Sequence, residues 1–100
     1  MAKPVVLTLN AREDLENIST WLAENWPIKV LEHFLDLYET KILLISQYPS
    51  RYPVIHAPPK LRKADLTRHN IILYREKESS VEVVSIFDTR QDLGKIRQLT

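Results

Sequence analysis

The sequence predicts an α+β domain in the order β-α-α-β-β-β, a helical hairpin packed on one face of a small, mainly antiparallel sheet. Two observations predict it. Apolar residues recur every three or four positions through residue 47, then switch to alternation from Leu61 onward. Between the two patterns, Pro49, Pro53, Pro58 and Pro59 gather four of the chain's six prolines in one stretch. With 100 residues and 44% apolar content, a single domain over 1–100 has enough material for a core.

The first strand is expected at 5–9, a β-rich run behind Lys3-Pro4. Asn10 then reads as a helix cap, with Glu13 placed to reach back and close a capping box. Ala11, Leu15, Ile18 and Leu22 form one face of a helix over 11–24, with Trp21 and Trp26 read as core and corner packing. Pro27 closes this helix and suits the first turn of the next. Leu31, Phe34, Leu35, Tyr38, Ile42 and Ile45 then make a continuous stripe on a helix over 28–47. A connection of two or three residues makes the pair an antiparallel hairpin. The proline segment at 49–59 reads as a stiff, irregular connector.

Three strands follow at 61–66, 71–75 and 81–87, joined by short polar turns into a meander. Their apolar residues fall on both faces, so the sheet needs cover on each. Two helices cover one face; the proline segment, the residues from 91 onward or a partner must cover the other. Residues 91–100 read as a short helix or a tail.

Composition excludes several classes of function. Without cysteine, disulfides and thiolate metal sites are impossible, as suits a cytoplasmic protein. A single glycine, Gly94, rules out glycine-rich phosphate loops and dinucleotide fingerprints. The opening residues hold no apolar core long enough for a signal peptide, and no stretch is apolar enough to span a bilayer. His33, His56 and His69 have no metal-ligand spacing, so neither metal nor cofactor is expected. The net charge of +1 is polarised: residues 60–77 carry six Lys and Arg against two acids, whereas the helical half is acidic. Arg62, Lys63, Arg68 and Arg75 are therefore candidates for a basic contact surface, or for charges that solvate the sheet and protect an edge.

The ordered motifs "LNAREDLENISTWLAENW" at 9–26, "HFLDLYETKILLISQYPSRYP" at 33–53, "LRKADLTRHNIILYRE" at 61–76 and "VEVVSIFDTRQDLGKI" at 81–96 resemble RelE/ParE-superfamily toxins. These are the toxic halves of bacterial type II toxin–antitoxin pairs, among them plasmid-stabilisation proteins. The resemblance rests on Ala11, Asp14, Leu15 and Ile18 in the first helix, Leu61-Arg62, and the strand tyrosine Tyr74. It also rests on Arg90 in the polar turn after the last strand.

The resemblance implies growth arrest by one of two routes, each neutralised by an antitoxin whose tail wraps the toxin. RelE-like toxins are ribosome-dependent mRNA endoribonucleases that work without metal; ParE-like toxins bind DNA gyrase. RelE-like cleavage uses an arginine on the tyrosine-bearing strand, where this chain has Ile71, and a later tyrosine that falls near Ile96. Other branches use a carboxyl-terminal histidine, and here none follows His69. Metal-free RNA cleavage needs a base, an acid and phosphorane stabilisation, which Arg90 alone cannot supply.

The ParE-like route is therefore the expectation, helped by a helical half that resembles that branch. Arg90, Arg62 and Tyr74 remain the catalytic candidates for a divergent nuclease, with Lys63, Arg68 and His69 nearby in sequence. Arg62, Lys63, Arg68, Arg75 and Arg90 are the candidates for binding a target or antitoxin. A fold-only interaction module is the third alternative, and a homodimer or a toxin–antitoxin hetero-oligomer the expected assembly. For Arg90, the simpler reading is a surface arginine paired with Asp88 or Asp92; for Tyr74, a core or rim aromatic with its hydroxyl in a hydrogen bond.

Overall fold

A computed structural model describes residues 2–57 and 60–90. The expected helix or tail at 91–100 lies outside them. The elements run β1 (Val5–Leu7), α1 (Leu9–Asn25), α2 (Ile28–Gln47), β2 (Val54–His56), β3 (Leu61–Asp65), β4 (Asn70–Glu76) and β5 (Val81–Asp88). The sheet has the order β1-β5-β4-β3-β2, with β1 parallel to β5 and the other pairs antiparallel. The α+β architecture and the hairpin-on-sheet arrangement are as the sequence predicts.

Two details differ. The proline segment is not wholly irregular: Val54–His56 pairs with β3 and forms the outer edge of the sheet. Pro53 does not prevent this, because it precedes the strand and its carbonyl accepts from Lys63 N at 3.0 Å. The helix cap is Thr8 rather than Asn10, so β1 ends at Leu7 and α1 starts two residues early. Thr8 Oγ1 accepts from Ala11 N at 3.1 Å and donates to Val84 O at 2.9 Å. That second bond ties the cap to the sheet, an advantage local capping preference does not reveal.

Both helices place a stripe on one sheet face. Ala11, Phe34 and Ile45 are buried there against Ala64, Ile72, Tyr74, Val81, Val83 and Ile86. Burying a side chain such as Phe34 or Ile45 is worth about 1.5–3 kcal/mol. A second cluster of Leu61, Ile71, Leu73, Val84 and Phe87 is also buried, and neither helix contributes to it. The expectation of two apolar faces thus holds.

The β4–β5 register slips between Leu73 and Tyr74, leaving Val84 as an extra residue in β5. Beyond Val83, β1 no longer pairs with β5, and Thr8 and α1 satisfy backbone groups along that edge. Val84 O accepts from Thr8 and, at 3.4 Å, from Asn10 Nδ2. Asp14 Oδ2 accepts from Ile86 N at 3.0 Å and Ser85 Oγ at 2.7 Å. This polar seam fixes α1 on the strand that leads to Asp88 and Arg90.

Candidate functional site

A cleft of about 710 Å³ opens between the hairpin and one end of the sheet. One wall comes from the second half of α1 and the first half of α2, through Ile18, Trp21, Trp26, Val30, Phe34 and Leu37. The other comes from the β3–β4 turn, through Thr67, His69 and Asn70, and from the β5 exit, through Asp88 and Arg90. His33 stands on the helical wall. The lining is thus apolar and aromatic, with polar groups along one rim, a composition common to ligand and partner sites.

The tryptophans are the main correction to the sequence reading. Trp21 is 56% exposed and Trp26 53%, so neither is core. The sheet-facing stripe of α1 is Ala11, Leu15, Ile18 and Leu22. Trp21 lies beside that stripe, and Trp26 caps the helix at the corner with its backbone N–H donating to Leu22 O. Helical periodicity places both residues near the packed face without saying that the cleft runs beneath them.

The rim is well organised. In the β3–β4 turn, Thr67 Oγ1 donates to Asn70 Oδ1 at 2.8 Å, and Leu66 N and Thr67 N both donate to Asn70 O. His69 O accepts from Thr89 N at 2.9 Å, which joins this turn to the one after β5. Arg90 Nε and Nη2 donate to the two carboxylate oxygens of Asp88 at 3.0 and 2.8 Å. These bonds, foremost the side-chain ones from Arg90, hold the Asp88 carboxyl below the usual carboxylate range.

His69 lines the cleft with Arg90, whereas Arg62, Lys63, Tyr74 and Arg75 do not assemble here. Tyr74 is fully buried, and its hydroxyl donates to Pro49 O at 2.6 Å. Burial pushes its phenol up to about 12, against the opposing charge of Arg62. Arg62 Nη1 donates to Tyr52 O at 2.6 Å and Ser50 O at 3.3 Å, so it staples the proline segment to β3. Tyr74 pairs across from Arg62, whereas Asn70 pairs across from Asp88. Four residues of strand separate the two places, roughly 13 Å. Arg75 pairs with Glu82 at 2.6 Å and Lys63 with Asp65 at 3.5 Å. Arg68 is exposed in the β3–β4 turn, the one other arginine candidate at the cleft's end of the sheet. Ile71, at the position where RelE-like toxins carry an arginine, is buried in the cluster on the face away from the helices.

Among the described residues, no three His, Asp or Glu side chains converge as a metal site, and no helix is long and apolar enough to cross a membrane. The family model for the ParE toxin of the type II toxin–antitoxin system, parDE, matches residues 5–93, from β1 to three residues past Arg90. No curated protein matches the chain.

Proposed function

Because the chain belongs to the ParE toxin family of type II toxin–antitoxin systems, we propose that it arrests growth by binding DNA gyrase and that a cognate antitoxin neutralises it. The observation that carries the binding reading is the division of labour among Arg62, Tyr74 and Arg90. Arg62 and Tyr74 are held by backbone carbonyls inside the fold, and Arg90 alone of the three lines the cleft. An arginine binds a partner well but is itself neither base nor acid for RNA cleavage, and neither Arg62 nor Tyr74 joins it. His33 and His69 line the same cleft and keep the ribonuclease as the alternative.

The antitoxin occupies the cleft beside Arg90, and neutralisation follows from covering that residue. Exposed tryptophan and arginine are the residues that most often dominate the energy of a protein interface. A cleft lined by Trp21 and Trp26 offers apolar anchoring that no described part of the chain uses.

The test is induced expression, with and without the neighbouring small reading frame. Trapped DNA breaks on gyrase and rescue by the neighbour are expected. Arg90→Ala should weaken arrest, whereas Trp21→Ala and Trp26→Ala should weaken rescue. A-site cuts in mRNA, read by primer extension, would replace this reading with the ribonuclease; an inert chain would reduce it to a fold-only interaction module.

A further inference from the structure

The turn after β5 does more than expose an arginine. Asp88 Oδ1 accepts from Arg90 N at 2.9 Å as well as from Nε, so one carboxylate fixes both the backbone and the side chain of Arg90. An aspartate that bonds the backbone two residues on is a self-contained turn device. Its base is rigid on both sides. Asp88 ends β5 opposite Asn70, and Thr89 donates to His69 O through both N and Oγ1.

An arginine side chain carries five N–H donors in a flat fork. Among the described residues, Asp88 takes two of them, both on the Nε edge. Nothing among the described residues takes the end-on edge, Nη1 with the second Nη2 hydrogen. The Arg90 side chain is 68% accessible although it is paired, whereas Asp88 is only 26% accessible. The carboxylate is thus set back and the guanidinium is set forward.

We infer that Asp88 is a positioning residue for Arg90, holding one edge of the guanidinium so that the other meets an oxyanion, a carboxylate or a phosphate, on the target. The inference rests on the reading that Arg90 serves target binding. Holding the side chain beforehand reduces the ordering cost on association, and a planar end-on fork selects bidentate acceptors. A simple charge argument predicts the opposite sign: removing the Asp88 charge would leave Arg90 more attractive to an anionic partner. The two accounts therefore separate in one substitution.

The experiment uses the full ¹⁵N-labelled chain and Asp88→Asn, Arg90→Lys and the double variant. At neutral pH the Arg90 Nε–H should exchange with water about tenfold faster in Asp88→Asn than in the parent. Growth arrest by Asp88→Asn should fall by about fivefold, near the level of Arg90→Lys, with no further loss in the double variant. Unchanged Nε exchange, or arrest by Asp88→Asn equal to or stronger than the parent's, overturns the inference. Arrest without trapped gyrase breaks sinks the gyrase reading alone, because arrest potency still ranks the variants. An inert parent chain overturns both. Backbone amide spectra outside the two turns check that Asp88→Asn is folded.

Discussion

At the Glu76 end of the sheet, polar side chains turn inward and tie the chain to itself; at the Asp88 end, they line an open cleft. Lys3 Nζ donates to Glu76 Oε2 and Lys77 O, Ser50 Oγ donates to Glu76 Oε1, and Arg62 and Tyr74 take the carbonyls of Pro49, Ser50 and Tyr52. Tyr52 stacks edge-on against Tyr74 at 6.3 Å. At the other end, Trp21, Trp26 and Arg90 are more than half exposed. Similar residue types, aromatics and arginines, thus serve stability at one end and stand exposed along a cleft at the other. What separates them is whether a backbone carbonyl lies within reach.

The largest test of this contrast is Tyr74→Ala, which removes a buried ring and leaves Pro49 O without its donor. It should destabilise by about 3–5 kcal/mol in urea unfolding, enough to unfold a marginal domain.

Next is alkaline pH. The folded Tyr74 phenol titrates at about 12, above the usual value of 10.0. Its stabilising contribution is complete below pH 10 and is lost as pH rises toward 12. The loss is about 2–3 kcal/mol, and Tyr74→Phe should remove this part of the pH dependence.

Third, Asp14→Ala deprives Ile86 N and Ser85 Oγ of their acceptor and should cost about 1–3 kcal/mol. It probes the seam that connects the helices to the cleft end, and chemical denaturation reads it directly. The smallest expected change is Arg90→Ala, which should leave the urea midpoint close to the parent's, since exposed ion pairs contribute little. A loss comparable to Tyr74→Ala would erase the distinction between the two ends.

Much of the fold was legible because periodicity reports which face of an element is wet. Of the stripe on α2, Phe34 and Ile45 are buried and Leu35, Tyr38 and Ile42 partly so, without Leu31, and the doubly apolar β4 and β5 correspond to the two buried sets in the structure. Tyr74 as a hydrogen-bonded core aromatic and Arg90 paired with Asp88 were legible too, from strand position and local spacing. The choice of Thr8 over Asn10 as cap was not, because both residues cap well and their bonds to Val84 O, 2.9 Å from Thr8 and 3.4 Å from Asn10, span 76 and 74 positions. The bulge at Val84 and the role of Asp14 were hidden for the same reason. Trp21 and Trp26 misled because a helical wheel shows the face toward the sheet but not where the sheet ends.

The parallel pairing of Val5 with Val81 carries a kinetic consequence. The contact joins positions 76 apart, so closing it requires nearly all of the intervening chain to be in place. During synthesis at about 5–20 residues per second, the helical hairpin is complete several seconds before β5 emerges. Until then Thr8, Asn10 and Asp14 have only their local bonds within α1 and no strand to hold. Folding of this domain is therefore expected to finish late and cooperatively, with Arg90 installed only after the last strand docks.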